Sequence, residues 1–402
     1  MDASVTAGIE GAGDLRVGLL WHSATSGNLG VGALTVANIA IVREVAARMG
    51  LRPRFTVLGM RDGDTPPVVD PDVEVFAIDG RAMASPGGLW RKLGALDVVL
   101  DIGAGDSFAD IYGAKRFGYL LTSKLMVAAR GKPLVLSPQT IGPFTRQPYK
   151  ALAGVAMARA DAVVARDRPS FEAARALAPG TRVVQSADVA FVLPFADRSA
   201  ERGGARPRVG INASGLLFHQ AETGRNRFGM ELDYAAFTRG LIAALRDRDV
   251  EVHLVAHVSS PGLPHDDDGR LADRLATEFP GVVRAPDFAD PSAAKSYLSS
   301  LDLLVAGRMH ACIGAFSSGT PVVPVAYSRK FAGVFGMVDY PWLIPVTGMT
   351  TEAATAYVLQ ALDRREELAA DAGRGMAKVQ ALLDAYRDEL ARTFAKAVGR
   401  AG

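Results

Sequence analysis

LLVAGRMHACIGAFSSGTPVVPVA, residues 303–326, is the stretch that decides the fold of this chain. Two short apolar runs, 303–306 and 322–326, flank a segment of small and apolar residues with helical spacing. This order predicts a strand, a helix and a second strand. Such a unit is typical of a parallel sheet whose faces are covered by helices.

The same alternation continues from this unit toward the N-terminus. Further strands are predicted at 208–212, 251–257 and 282–284, and in the first half at 15–21, 55–58, 73–78, 98–102, 134–137, 162–165 and 182–184. Helical stretches, notably 33–49, 113–129 and 145–160, separate most of them. We therefore expect an α/β protein with two doubly wound, Rossmann-like domains that face each other across a cleft.

The division between the domains is predicted at the polar segment ADRSAERGGARP, residues 196–207. The first domain then spans residues 1–195, and the second spans residues 208–375. Apolar residues recur at three- and four-residue spacing within 376–402, which predicts a long C-terminal helix. We expect this helix either to pack on the second domain or to cross back to the first.

Length and composition exclude several classes of protein. The 402 residues, 49% of them hydrophobic, fit two or three ordinary domains of about 150 residues each. A net charge of +2 gives no indication of a nucleic-acid binder, and the single cysteine, Cys312, excludes intrachain disulfides. We find no apolar run of membrane-spanning length and no secretory signal in residues 1–14, so we expect a cytoplasmic protein.

The residues that follow each strand are the candidates for a site, because open α/β sheets bind ligands beyond the carboxyl ends of their strands. After the first strand, HSATSGNLGVG, residues 22–32, leads into a helix. Asn28 and Gly30 lie there where backbone amides can approach an anion. A tight turn without a ligand explains the segment equally well.

The loop after strand 98–102 contains Gly103, Gly105, Asp106 and Ser107. Either its amides and polar side chains hold a polar ligand, or it is a tight turn in which Asp106 caps the next helix. A phenylalanine stands where the third glycine of a dinucleotide-binding turn belongs, which argues against NAD at this position.

Two polar residues follow the next strands. Gln139 is predicted to lie in the loop after strand 134–137, and Arg166 comes directly after the apolar strand 162–165. An arginine at the end of a buried strand must either bind an anion in the cleft or pair with a carboxylate.

The strongest candidates are Arg308 and His310, at the first turn of the helix predicted within 303–326. Cationic side chains and the helix dipole both favour a bound anion there. His310 can act as a base when neutral, or as an acid when a bound phosphate stabilises its charged form. The alternative is a buried histidine bonded to a backbone carbonyl. Lys330, after strand 322–326, adds a further donor.

Two other segments carry charge. The acidic triplet 266–268 either holds a divalent cation or is a solvated loop that caps the helix at Arg270, and we favour the solvated loop. The basic segment 218–230 either covers an acceptor or is simply solvated. His257, at the end of strand 251–257, is a further lesser candidate.

Together these segments resemble the polysaccharide pyruvyl transferase family over most of the chain. The resemblance rests on GNLG at 27–30, GAGDS at 103–107, QTIGP at 139–143, RDRPS at 166–170, DVAF at 188–191 and, most specifically, GRMH at 307–310 with SSGTP at 317–321 and YSRK at 327–330. Two positions differ from the family's usual pattern, since Val31 replaces an aspartate and Ala104 replaces a glycine.

The resemblance implies a two-domain fold like that of GT-B glycosyltransferases, with the active site between the domains. It implies transfer of the enolpyruvyl unit of phosphoenolpyruvate to a sugar-containing acceptor as a ketal, with release of phosphate. By resemblance, Arg166 and Arg308 would bind the donor and His310 would be catalytic. We add Lys330 as a donor-binding residue and Asp106 as a possible base. No cofactor, metal or nucleic acid is expected, and membrane contact is expected only if the acceptor is lipid-linked.

Two other functions compete with this interpretation. A glycosyltransferase that uses a nucleotide sugar could share the architecture, but it would want a carboxylate to hold the ribose hydroxyls where segment 307–321 offers serines. A non-catalytic sugar- or phosphate-binding protein would not need an acid such as His310.

Overall fold

The computed structural model describes residues 13–60, 68–105, 107–345 and 347–399. The first sheet is formed by β1 (Gly13–Leu20), β2 (Leu51–Gly59), β3 (Glu74–Ala77), β4 (Val98–Asp101), β5 (Ser107–Phe108), β6 (Leu134–Ile141), β7 (Ala162–Ala165) and β8 (Val183–Gln185). Its strands are parallel in the order β3-β2-β1-β4-β6-β7-β8, and β5 pairs with the carboxyl end of β6.

The second sheet contains β9 (Arg208–Asn212), β10 (Glu251–Leu254), β11 (Val283–Arg284), β12 (Leu303–Ala306), β13 (Val322–Ala326) and β14 (Ile344–Pro345). They are parallel in the order β11-β10-β9-β12-β13-β14. Segment 196–207 lies between the two sheets and contains a short 3₁₀ turn, Ser199–Glu201. The expected α/β architecture with two doubly wound sheets is confirmed.

Helices connect the strands of both sheets. Around the first sheet they are α1 (Leu29–Arg48), α2 (Gly80–Ala84), α3 (Arg91–Gly94), α4 (Ala114–Ala129), α5 (Tyr149–Met157) and α6 (Arg168–Leu177). Around the second they are α7 (Gly215–Glu222), α8 (Tyr234–Arg246), α9 (Asp268–Glu278), α10 (Pro291–Leu298), α11 (Met309–Ser317), α12 (Arg329–Gly336) and α13 (Thr351–Asp363), and α14 (Arg365–Gly399) ends the described chain.

Helix α1 corrects one expectation from the sequence. By length and apolar composition alone it could cross a membrane, so the statement that no run reaches that length was wrong. The most apolar part of the helix is 67% buried, because α1 packs in the core of the first domain and also contacts α10, α11 and α14. Its apolar surface is therefore explained by packing within this fold.

The terminal helix α14 begins eleven residues before the predicted start at 376, and it contacts both domains. Near its start Gly375 packs on Phe316 of α11. Farther along, the Tyr386 hydroxyl lies 2.8 Å from Asn38 Oδ1 and 2.9 Å from Ser137 Oγ in the first domain. Most of the apolar stripe that predicted this helix is buried, whereas Met376 is half-buried and Val398 is exposed.

Direct contacts between the domains fix the cleft at the carboxyl edges of both sheets. The Leu29 amide donates to the His257 carbonyl at 3.2 Å, and the Ser259 amide donates to the Gly27 carbonyl at 2.9 Å. These two bonds place the loop after β1 against the loop after β10. The residues that follow strands of both sheets therefore meet in one place.

Candidate active site

A cavity of about 570 Å³ lies between the domains. Its described lining includes six cationic side chains and two histidines but no carboxylate: Arg116, Arg166, Arg227, Arg308, Arg329, Lys330, His257 and His310. A cleft whose described lining is this rich in cationic side chains attracts anions. We call this space the donor cavity.

Arg166 forms the carboxylate pair that was one of the two alternatives left open by the sequence, and it also lines the cavity. Its guanidinium lines the donor cavity, yet the residue is only 2% exposed and its Nη1 pairs with Asp188 Oδ2 at 2.7 Å. Burial alone would raise the pKa of the Asp188 carboxyl, but the charges of Arg166 and His310 lower it to about 2. Asp188 is therefore ionised, and it holds the guanidinium fork in place.

Arg308 is held by two carboxylates from the acidic triplet. Its Nη2 lies 2.7 Å from both Asp266 Oδ1 and Asp268 Oδ1, and its side chain is 12% exposed. Burial would lower the pKa of Arg308, but Asp268 and Asp266 raise it overall. Arg308 is therefore charged at any physiological pH.

The expectation of a solvated acidic loop was wrong for the end of that triplet. Asp267 caps α9 as predicted, with its Oδ1 accepting from the Arg270 amide at 3.0 Å. Asp268, however, is buried, and accepts from Asn212 Nδ2 and the Gly215 amide besides Arg308. Among the described residues no cluster of three or more histidine, cysteine or acidic side chains is arranged to hold a metal ion.

His310 stands at the first turn of α11, where the two domains meet. Its Nε2 lies 3.8 Å from Asp188 Oδ2, within the range of an ion pair but beyond hydrogen-bond distance. Gly30 lies directly against the imidazole, and a Cβ there would collide with the ring. The expected role of Gly30 as part of an anion loop is thus replaced by a packing role, since it is not part of the cavity lining.

The two glycine-containing loops reach the cavity only in part. Asn28 and Ser107 line it, and Asn28 Oδ1 caps α1 by accepting from the Gly30 amide at 3.0 Å. Gly103 begins a 3₁₀ turn, Gly103–Gly105, at the cavity edge. Asp106, the possible base, lies outside the described residues.

Gln139 corrects a second expectation. Strand β6 continues to Ile141, so Gln139 lies in the strand and is buried beneath the cavity instead of lining a loop. Its Nε2 donates to the Asp101 carbonyl at 2.8 Å, and Asp101 Oδ1 accepts from the Gly103 amide at 3.0 Å. Gln139 thus supports the 103–105 turn, in which Ala104 adopts φ = 61°, a conformation that favours glycine.

The segment after β13 reaches across the cleft to the first domain. Arg329 Nη2 donates to the Gly142 carbonyl at 2.9 Å, and Lys330 Nζ lies 3.5 Å from the Tyr112 hydroxyl. Burial lowers the pKa of Lys330 to about 8. The predicted residues Arg166, Arg308, His310 and Lys330 therefore share one cavity.

Sequence reasoning missed two residues of this site as candidates, Arg116 and Asp188, and it ranked His257 and Arg227 only as lesser ones. Asp188 was noted only as part of the DVAF segment, and Arg227 as part of the basic segment 218–230. His257 was a candidate because it stands at the end of a predicted strand. Arg116 carries no signal in the sequence, because it lies on α4, eleven residues after the Gly-x-Gly turn.

Comparisons with known proteins identify the family of this chain. A family model described as polysaccharide pyruvyl transferase matches residues 40–329. The amylovoran biosynthesis protein AmsJ of Erwinia amylovora is 23% identical over 300 residues, which cover 71% of this chain and 70% of that protein.

Solved structures of glycosyltransferases share the fold. Sucrose-phosphate synthase from Thermosynechococcus elongatus aligns with a TM-score of 0.56 at 12% identity, covering 96% of this chain and 100% of that chain. Anabaena HepE in complex with UDP-glucose aligns with a TM-score of 0.54 at 13% identity, covering 95% and 100%. The GT-B-like fold is thereby confirmed, and at such identities the likeness concerns the fold alone.

Proposed function

This chain belongs to the polysaccharide pyruvyl transferase family, and from that premise we propose that it transfers the enolpyruvyl unit of phosphoenolpyruvate to a sugar acceptor. The product would be a cyclic ketal on two hydroxyls of the sugar, and inorganic phosphate would leave. The observation that carries the proposal is the donor cavity, with its six cationic side chains and no carboxylate in the described lining.

Phosphoenolpyruvate carries a phosphate and a carboxylate, so its site needs cationic groups on more than one side. Arg166 and Arg308 reach the cavity from different sheets, and their guanidinium forks suit either anionic group. Lys330, supplied by the segment that crosses the cleft, is the third donor-binding residue that we propose. Binding of the donor would therefore favour a closed arrangement of the domains.

The proposed chemistry begins with proton transfer from His310 to the methylene carbon of the donor. The neighbouring carbon then gains oxocarbenium character, and a sugar hydroxyl adds to it. A second hydroxyl of the same sugar displaces phosphate and closes the ketal. The Asp188 carboxylate, 3.8 Å from His310 Nε2, would help to hold the imidazole in place for this step.

The cationic side chains would also neutralise the charge that develops on the departing phosphate. We propose that the reaction needs neither a metal nor a cofactor. Its acceptor would be a polysaccharide unit or another glycoconjugate, used in the cytoplasm and at a membrane only if the acceptor is lipid-linked.

A nucleotide-sugar glycosyltransferase is the second candidate, because the fold is shared with enzymes such as HepE, whose structure holds UDP-glucose. Such an enzyme would want a carboxylate near the phosphate site to hold the ribose hydroxyls. Since the described lining of the donor cavity offers none, we favour phosphoenolpyruvate.

The two candidates can be separated with the purified protein. Ligand-induced shifts in melting temperature should appear with phosphoenolpyruvate and not with UDP-glucose. Mass spectrometry of sugar acceptors incubated with phosphoenolpyruvate should then detect the added pyruvyl ketal. A shift with UDP-glucose alone would favour the glycosyltransferase.

A further inference from the structure

A second cavity, of about 510 Å³, lies beside the donor cavity. It is bounded by residues of the loop after β1, by the segment that follows β10 and by the segment that follows β11. We call it the outer cavity. His257 lines both cavities, so it stands between them.

The backbone of His257 is fixed from both sides. Its amide donates to Asp268 Oδ2 at 3.3 Å, and its carbonyl accepts from the Leu29 amide at 3.2 Å. The imidazole is only 5% exposed, yet among the described residues neither ring nitrogen has a hydrogen-bond partner. Buried polar atoms are nearly always bonded, so an unpartnered imidazole between two cavities points to ligands on either side.

The imidazole is neutral in the free protein. Burial lowers the pKa of His257 to about 3, with the charges of His310 and Arg308 as further causes. A neutral imidazole carries one N–H donor and one lone pair. It can therefore donate to one ligand and accept a proton from another.

The two cavities differ in charge. The described lining of the outer cavity includes two arginines and three carboxylates: Arg270, Arg284, Asp267, Asp273 and Asp287. Arg284 is already bonded to Asp273 at 2.8 Å and to Asp287 at 2.7 Å. This space suits an uncharged ligand rich in hydroxyl groups, whereas the donor cavity suits an anion.

We propose that the outer cavity is the acceptor subsite for an uncharged sugar, and that His257 is the base that receives the proton of the attacking hydroxyl. This inference rests on the proposed function. A donor anion in the neighbouring cavity would strengthen the base, because negative charge beside an imidazole raises its proton affinity.

The atoms balance through the reaction. His310 gives a proton to the methylene carbon, and the first hydroxyl oxygen bonds to the neighbouring carbon as its proton passes to His257. The second hydroxyl oxygen bonds to the same carbon, while the bond to the phosphate oxygen breaks and its electron pair leaves with phosphate. The proton of the second hydroxyl leaves as part of hydrogen phosphate, and solvent returns both histidines to their starting states.

The test compares His257→Ala with His253→Ala, a matched control on the strand that precedes it. His253 is also largely buried, but its ring nitrogens bond to the Tyr297 hydroxyl and to Glu251, both at 2.6 Å. Turnover is measured as phosphate release and ketal mass with phosphoenolpyruvate and a panel of methyl glycosides. Donor affinity is measured separately by calorimetry.

We expect His257→Ala to lower kcat by ~10²-fold or more, with donor affinity little changed. Imidazole added to the buffer should restore part of this loss, since the deleted side chain leaves space between the cavities. His253→Ala should keep its kcat and show no response to imidazole. A purely structural role of His257 would not produce this rescue.

A second variant tests the subsite itself. Ser259 is exposed and lines the outer cavity, so Ser259→Trp should obstruct it without touching the donor cavity. We expect a raised KM for the methyl glycoside and an unchanged Kd for phosphoenolpyruvate.

The outcomes separate this inference from the function on which it rests. Normal turnover by His257→Ala, or a loss that imidazole does not relieve, would overturn the base while the transferase stands. An unchanged KM in Ser259→Trp would overturn the subsite. Failure of the unmodified protein to bind phosphoenolpyruvate or to form any ketal would overturn the proposed function, and this inference with it.

Discussion

Arg166 and Arg308 reach the donor cavity from opposite sheets, and the carboxylates behind them differ. Arg166 pairs with the buried Asp188, whereas Arg308 pairs with the buried Asp268 and with the partly exposed Asp266. Among the described residues, the other donors near the Asp188 carboxylate are the Ala190 amide at 2.9 Å and the more distant His310. The Asp188 carboxylate therefore depends on Arg166 for its compensation far more than Asp268 depends on Arg308.

Asp268 should tolerate the loss of its arginine better, because several other groups donate hydrogen bonds to its carboxylate. Its carboxylate also accepts from Asn212 Nδ2, from the Gly215 amide at 3.0 Å and from the Val258 amide at 3.2 Å. The comparison shows that an arginine at an anion site can also be a structural element of its own domain. Since both guanidinium groups are paired with carboxylates, we expect the other cationic side chains of the cavity to contribute to the attraction for an anionic donor.

The largest expected effect concerns folding stability. Arg166→Ala should lower the free energy of unfolding by about 3–5 kcal/mol, because it leaves the Asp188 carboxylate buried without its guanidinium. Arg308→Ala should cost clearly less. The matched control is Arg168→Ala, an exposed pair with Glu172 at 2.9 Å, which should change stability by ~0.5 kcal/mol or less. Urea denaturation measures the free energy of unfolding of all three variants. Equal losses of stability in Arg166→Ala and Arg308→Ala would contradict the difference between the two pairings.

The next effect concerns His310, which lies where the two domains meet. His310→Ala should lower turnover by ~10²-fold or more with only a modest change in donor affinity, because the side chain acts on chemistry rather than on binding. His310→Gln keeps hydrogen bonding without proton transfer, so it should be nearly as impaired. Near-normal turnover of the Gln variant, measured by phosphate release, would reduce His310 to an orienting group.

Much of this arrangement was predictable from the sequence, because it follows from periodicity and from where strands end. Arg166 and Arg308 could be placed at strand ends in a cleft without any structure. Their partners could not, since Asp188 lies 22 residues from Arg166 and Asp268 lies 40 residues from Arg308 in sequence. Pairings of that kind depend on how loops pack across the cleft.

Two predictions from the sequence were wrong, those for Gln139 and Gly30. Gln139 was assigned to a loop because the strand was predicted to end at Ser137, yet β6 continues to Ile141 through a register irregularity between Leu136 and Gln139. Gly30 was assigned to an anion loop because glycine permits close approach. A group does approach Gly30 closely, but that group is the imidazole of His310. Only the packing of the two domains brings it there.

The third prediction concerns donor affinity. Arg308→Ala should weaken phosphoenolpyruvate binding by about 1.5–3 kcal/mol, the usual contribution of a hydrogen bond to a charged group. Calorimetric titration measures the change at constant salt. If the variant melts earlier but binds the donor as tightly as before, Arg308 serves only to anchor the 266–268 loop.

A smaller effect concerns Lys330, which lines the donor cavity and whose Nζ lies 3.5 Å from the Tyr112 hydroxyl. Burial lowers its pKa from 10.5 to about 8, so in the free protein the ammonium loses its proton as pH rises through that value. Donor affinity should then fall by about fivefold between pH 8 and pH 9, because binding must restore the proton. The donor phosphate is fully ionised throughout this range. Lys330→Gln should bind phosphoenolpyruvate more weakly at pH 7, and its affinity should no longer fall between pH 8 and pH 9. A pH profile identical to that of the unmodified protein would exclude Lys330 from the donor site.

The smallest expected effect is that of metal removal, for which we predict largely unchanged turnover in EDTA. The donor's charge would be met by the side chains of the cavity, which leaves no electrostatic role that requires a divalent ion. The acidic triplet is also poorly suited to bind one, since Asp267 caps α9 and the Asp268 oxygens already accept from Arg308, Asn212 and backbone amides. Phosphate release is measured after dialysis against EDTA, with and without added Mg²⁺. Complete loss of activity that Mg²⁺ restores would require a carboxylate site for the ion, either at the triplet behind Arg308 or at Asp106. Arg166 and Arg308 would then not be sufficient to bind the donor's charge.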